Sequence, residues 1–355
     1  MKKGIIIGLT VIVGIVLVGI VTINVVNTKA ESQITSVIEE NLKNNEMDDV
    51  FKYGDIKVSS TKGSITLSDV DLSNEDMNIS ASSVEIKLPI NEAINLVKNP
   101  DNSMITDLKV NIKGVNLISK SDGTKFKQGD LSIVFKGKVN TKIFNDEIIP
   151  TDDDFLIEKI ELKNSDVIFS SDIGVMSFED FSLGMVGNIK ASDFTRDYDE
   201  IGYMALLNIF SKLNLNFEGF KYEAEQEIRQ GLSMMAYMFL GEVSFIGNQE
   251  NWAINKLALD IDIDGNTISI QSLDLVTNWI DFGINASFNL DETLESFTPL
   301  NFKLNMNEYI DDLQPFFEMF IGEMTTDEMP EGKFSLSVSM EDMDSLPEVK
   351  LEDLN

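Results

Sequence analysis

The stretch Leu259–Gln271, LDIDIDGNTISIQ, sets Asp260, Asp262, Asp264 and Gly265 at the spacing of a calcium loop. Alternate carboxylates can converge on a hard cation if the chain curls around it. A loop of the helix-loop-helix kind also needs a bidentate glutamate at its twelfth position and a helix on each side. This chain has Gln271 there, and both flanks alternate apolar with polar residues, as strands do. Leu257, Leu259, Ile261 and Ile263 then share one face, the aspartates share the other, and Gly265-Asn266 supplies the turn. The spacing predicts a hairpin tip and not a metal site. Asp152-Asp153-Asp154 and the acidic tail from Glu341 to Asp353 have carboxylates enough to hold a divalent ion loosely, but such runs are usually solvated.

Composition removes much other chemistry. The 355 residues include neither His nor Cys, so imidazole relays, thiol nucleophiles, zinc ribbons and iron–sulfur clusters are excluded. Carboxylate pairs for glycoside hydrolysis stay open, because spacing alone singles out none of the 60 acidic residues. No catalytic, cofactor-binding or metal-binding residue is assigned, and the expectation is a protein that is not an enzyme. The net charge of −32 shows no basic footprint for nucleic acid, and Arg196 and Arg229 are the sole arginines. The same acidity disfavours broad adhesion to anionic lipid surfaces.

The positioning elements begin with Gly4–Ile23, 20 residues without a charge, enough to cross about 30 Å of hydrocarbon. Lys2 and Lys3 place the start in the cytoplasm and everything after Val26 across the membrane. The rival is a signal peptide cleaved after Thr28-Lys29-Ala30, although an apolar region this long favours an uncleaved anchor. An amphipathic helix is expected over Glu31–Asn45, then strands over Asp55–Ser60, Ser64–Leu72, Ser83–Leu88 and Asp107–Leu117. Helical periods return over Tyr198–Leu213, Tyr222–Leu240 and Tyr309–Met324, the last with a kink at Pro315.

A unit recurs three times. Gly63, Gly174 and Gly265-Asn266 each lead into a nine-residue segment with apolar residues at places two, four, seven and nine. These are Ile65, Leu67, Val70 and Leu72; Met176, Phe178, Phe181 and Leu183; and Ile268, Ile270, Leu273 and Leu275. The step from four to seven breaks strict alternation, and a bulge there returns both halves to one face. Repetition of one hairpin-and-bulge unit predicts a sheet built by accretion.

The opening of the body, YGDIKVSSTKGSITLSDVDLSNEDMNISASSVEIKLPINEAINL, resembles the start of AsmA-like envelope proteins. The matching elements are a strand at Ile56–Ser59, Gly63, the segment Ile65–Leu72, a strand at Ala81–Leu88 and a short helix at Ile90–Val97. The resemblance is concentrated in residues 1–97, with thinner echoes at Gly174, Gly265 and Met329–Met340. It implies a long curved sheet with an apolar inner face, and a part in moving or organising lipid or in envelope assembly. It carries over no catalytic residue.

The expected fold is α+β and mainly antiparallel: a transmembrane helix, then an elongated, twisted β-sheet body with a few amphipathic helices. The expected divisions are an anchor at 1–27, a β-rich module at 28–190, and a second at 191–355 with helical insertions and the acidic tail. The expected site is inner-membrane and single-pass, with the body periplasmic or otherwise extracytoplasmic. The expected function is to shelter or transfer lipid, or to support envelope assembly, through an apolar sheet face. Candidate lipid-facing residues are Ile65, Leu67, Phe178, Phe181, Ile268 and Ile270. Expected partners are the membrane, phospholipid and envelope proteins, with no nucleic acid and no cofactor. The alternatives are a membrane-tethered scaffold for protein partners with a filled core, and a carboxylate hydrolase.

Overall fold

The computed structural model of the chain describes residues 50–59, 63–92, 95, 99, 102–144, 151–195, 209–231, 234, 252–290, 297–324, 330, 332–341 and 346–354. The expected anchor and the helix at Glu31–Asn45 lie outside the described residues. Among the described residues no helix is long and apolar enough to cross a membrane. The described chain is mostly antiparallel sheet, in two compact units. Unit 1 runs to Ser171 and takes back Asn188–Thr195; unit 2 comprises Asp172–Gly187 and the chain from Arg196 onward.

Unit 1 holds β1 (Phe51–Lys52), β2 (Asp55–Ser59), β3 (Ser64–Ser73), β4 (Met77–Lys87), β5 (Met104–Ser119), β6 (Lys125–Asn140) and β7 (Phe155–Ser171). β1 and β2 lie end to end along β3, and each later strand pairs antiparallel with the one before it. One side is a closed core: Phe51, Ile56, Ile65, Leu67, Val70, Leu72, Val84, Ile86, Val110 and Ile112 are each no more than 6% exposed. A five-residue helix α1 (Ala191–Thr195) also belongs to this unit. Asp152 accepts hydrogen bonds from its Ser192 through N–H (2.8 Å) and Oγ (3.0 Å). Asp154 is ion-paired with Lys142 at 2.5 Å and accepts from Thr151 Oγ1 at 2.7 Å. Two carboxylates of the aspartate run thus fasten loops.

Unit 2 holds β8 (Gly174–Lys190, whose last three residues group with unit 1), β9 (Phe210–Ala224), β10 (Ala253–Asp264), β11 (Thr267–Thr277), β12 (Ile280–Leu290), β13 (Phe297–Tyr309), β14 (Phe334–Met340) and β15 (Glu348–Asp353). Each pairs antiparallel with the next. A helix α2 (Gln314–Met324) packs Phe317 and Ile321 onto Ile280, Met306, Phe334 and Leu336, and makes the closed core of this unit.

The three helical expectations are corrected in part, with helix present at 226–231 and over Gln314–Met324. Phe210–Leu213 opens β9, because Leu213, Leu215 and Phe217 alternate with Lys212, Asn214 and Asn216 over the following strand. Residues 198–208 lie outside the description. Tyr222–Ala224 ends the same strand, and helix begins at 226. Pro315 kinks nothing: it is the second residue of α2, in the first turn, where a missing N–H costs no helical bond.

The break in the repeat has a physical origin. In β3 it falls at Asp69, whose φ is +50°, and the register on either side is unchanged, Ser68 opposite Ser83 and Val70 opposite Ala81. The flanking pairs set Asp69 beside Ser82, Ser82 beside Gly114, Gly114 beside Gly129, and Gly129 beside Asp166. Asp69, Gly114 and Asp166, on every second strand, all have positive φ, which Asp and Gly tolerate best. A crease therefore crosses unit 1, and each strand passing it keeps its apolar residues on one face. At Gly114 a Cβ would meet Ser82 Oγ at 2.9 Å, so both φ and space require glycine. In unit 2, Glu179 meets Gly219 (φ +66°) in the same way. In β11 the break is a true bulge: Ser272 faces Asp260 while Ile270 faces Ile261, leaving Gln271 unmatched.

Candidate functional site: an apolar sheet face

The opening hairpin supplies the frame. Asp264 faces Thr267 across Gly265-Asn266, and Gly265 has φ +57°, as the first central residue of a type II′ turn requires. The aspartates on the wet face have protein partners. Asp260 accepts from Asn214 Nδ2 at 2.7 Å and lies 3.1 Å from Lys212 Nζ, and Asp262 lies 3.5 Å from the same ammonium. The Lys212 pKa is raised, first by its hydrogen bond to Asp260 and then by the charges of both aspartates. Lys256 and Asp274 pair at 3.3 Å farther along. The carboxylates are the outer ladder of a sheet.

On the other face the register builds continuous apolar rows. One runs Phe181–Phe217–Leu257–Leu275–Phe282–Met306–Phe334. The next runs Leu183–Leu215–Leu259–Leu273–Ile284–Leu304–Leu336–Leu351, and a third Met185–Leu213–Ile261–Ile270–Ala286–Phe302–Val338–Val349. Ile263, Ile268, Phe288, Leu300 and Met340 form a shorter fourth. At about 4.8 Å between strands, eight strands carry these rows across about 34 Å. Met306, Phe334 and Leu336 are at most 1% exposed, at the side where α2 packs. From β8 to β11 the row residues are half-buried.

Four rings gather where the crease passes. Phe178, Phe181, Phe217 and Phe220 flank Glu179 and Gly219, with centroids 5.1 Å apart for Phe178–Phe217, 6.2 Å for Phe181–Phe217 and 5.5 Å for Phe217–Phe220. Such ring pairs are worth about 0.5–1.5 kcal/mol beyond the area they bury.

The six candidates from the sequence separate into two groups. Ile65 (3% exposed) and Leu67 (4%) are inside the closed core of unit 1 and offer no surface. Phe178, Phe181, Ile268 and Ile270 are half-buried on the apolar face of unit 2. Leu257 and Leu259, already read as one face of the hairpin, join them, as do Phe217 and Phe220, which were not singled out because the alternation of β9 begins inside the helical period read over 198–213. A concavity of about 410 Å³ takes three consecutive residues from each of β11–β14, around Ile270, Ala286, Phe302 and Val338, and no carboxylate lines it. The chain matches no family model, no curated protein and no solved structure.

Proposed function

We propose that this is a membrane-anchored extracytoplasmic protein that shelters or transfers lipid on the apolar face of unit 2. The carrying observation is that face itself: rows of Phe, Leu and Ile continuous over β8–β11 and half-buried, with no helix packed on them among the described residues. Soluble monomers rarely leave contiguous apolar patches beyond a few hundred Å², and larger ones mark contact with lipid, ligand or protein. Acyl chains suit the face because the side chains of its rows are apolar, so an occupant need bring only hydrocarbon. The tilted rings of Phe178, Phe181, Phe217 and Phe220 add aromatic surface to it. The anchor expected at Gly4–Ile23 would keep this face close to its lipid source.

A photoreactive phenylalanine analogue at position 217 or 181 in the full-length membrane protein tests the reading. Cross-links to phospholipid from those positions, and none from position 214 on the wet face, are expected. Equal labelling from both faces, or protein adducts in place of lipid, would contradict it. A membrane-tethered scaffold for protein partners is the second reading; it draws on the dry, filled cluster of unit 1.

A further inference from the structure

The wet face of unit 1 carries a charge that the composition conceals. Among the residues that alternate with the apolar side on β4–β7, lysines outnumber the acids Glu85, Asp107, Asp130 and Glu161. Lys87 stands directly opposite Lys109, and Lys136 directly opposite Lys159. Lys113, Lys127 and Lys163 extend the field along β5, β6 and β7, and Lys125 ends it near the β5–β6 turn. Lys109, Lys113, Lys125, Lys127, Lys136 and Lys163 are exposed. Glu85 and Glu161 are taken up by Lys87 (2.9 Å) and Lys159 (2.8 Å), while Lys109, Lys113, Lys127, Lys136 and Lys163 form no ion pair among the described residues. The field is strong enough to act on its own carboxylates. Glu161 is held below its ordinary pKa, first by the hydrogen bond from Lys159, against the effect of burial, and further by the charges of Lys159, Lys163 and Lys136.

This arrangement opposes folding. Like charges directly across a strand pair are destabilising. Glu85, Glu161, Asp107 and Asp130 offset part of this charge, and the excess of lysines that remains on the face suits an anionic partner. The cations of the face are all lysines, interleaved with Asp107 opposite Lys136 and Asp130 opposite Lys113, with no arginine fork and no aromatic ring among those rows, so it presents point charges on a sheet and not a base-stacking platform.

We propose that the lysine face of β4–β7 docks on the anionic headgroups of a phospholipid bilayer. The inference rests on the membrane anchoring put forward above. Unit 1 is the first folded part described after the expected anchor, and residues 24–50 can stretch at most about 95 Å, so the bilayer is within reach of this face. Docking in this way leaves the acidic remainder of the chain to be repelled, which orients the body without further contacts.

The test uses full-length protein in nanodiscs of phosphatidylcholine, with or without about a third of the lipid as phosphatidylglycerol, and reads lysine acylation by mass spectrometry. Labelling of Lys109, Lys113, Lys127 and Lys163 is expected to fall at least about five-fold in the anionic discs and to recover in about 0.5 M salt. Lys212 and Lys256 of unit 2 serve as references and should not change. In a Lys109→Gln/Lys113→Gln/Lys127→Gln variant, the protection of Lys163 should be lost while labelling in neutral discs stays the same. Equal labelling in the two discs overturns the proposal. So does protection by an added oligonucleotide, or by a second copy in concentrated lipid-free detergent, without protection by anionic lipid. A chain that fails to enter neutral discs counts against the anchor alone; flotation with neutral against anionic vesicles then reads the lysine face directly.

Discussion

In β3 of unit 1, Ile65, Leu67, Val70 and Leu72 are 3–6% exposed, whereas their counterparts in β8 and β11 of unit 2 remain half-buried. The repeat is the same in all three strands, down to the interruption between its fourth and seventh places. The difference is how far the apolar side is buried. In unit 1, β1 and β2 at the sheet edge bring Phe51 and Ile56 into one cluster with residues of β3, β4 and β5, and the side is closed over those strands, while Leu131 and Ile133 of β6 stay half-buried. In unit 2, the buried cluster among the described residues gathers near α2, where Phe317 and Ile321 reach Met306, Phe334 and Leu336. A strand pattern decides which face is apolar. Whether that face becomes a core or a surface is decided by elements elsewhere in the chain.

The sharpest way to break the comparison is truncation on each side of it. Leu67→Ala, in the closed core, is expected to cost about 2–5 kcal/mol, whereas Leu259→Ala on the half-buried face should cost about 1 kcal/mol. Urea unfolding of the two variants measures both. Equal losses would mean that the unit 2 face is a core as well. The crease comes next in size. Gly114→Val forces a branched side chain into φ +62° and against Ser82, and should cost about 1–3 kcal/mol in the same assay, while Gly123→Val at an open turn should cost less.

The smallest effect concerns the fastening of unit 1. The Asp154 carboxyl sits below its ordinary pKa of 3.8, first through its hydrogen bond from Lys142 and then through Thr151, against the effect of burial. A lowered folded-state value means that this stabilisation is complete above the unfolded value and is lost as pH falls through the folded one. Asp154→Asn should therefore lower stability by about 1 kcal/mol at neutral pH, with the gap to the parent protein closing in acid. Melting curves from pH 7 down to about pH 3 check the sign. A gap that persists in acid would assign the loss to packing instead of charge.

Much of the sheet was legible because period-two alternation survives without tertiary help. Ser64–Leu72 and the LDIDIDGN hairpin appear where the pattern put them, and the bulge at Gln271 where alternation broke. The breaks at Asp69 and Glu179 have another cause, positive φ on one of two facing strands, and a lone aspartate in a strand does not announce it. The helix read over Tyr198–Leu213 took in the start of β9, because Ile209, Leu213 and nearby apolar residues satisfy two periods over a short window. The lysine face was invisible for a related reason. Its residues come singly between apolar ones, so no basic run exists until four strands are set in register, and a net charge of −32 hides it further. Of the six lipid-facing candidates, the pattern placed all on an apolar side; it could not distinguish the buried Ile65 and Leu67 from the half-buried Phe178 and Ile270.

The most direct test of the lipid face is native mass spectrometry of the full-length protein released from mild detergent, with extraction and identification of bound lipid. The parent protein is compared with a Phe217→Asp/Leu259→Asp variant, which leaves the expected anchor and the unit 1 core untouched. Stoichiometric phospholipid on the parent and its loss from the folded variant is the predicted result. The same lipid count on both, or a lipid-free parent, would contradict the account.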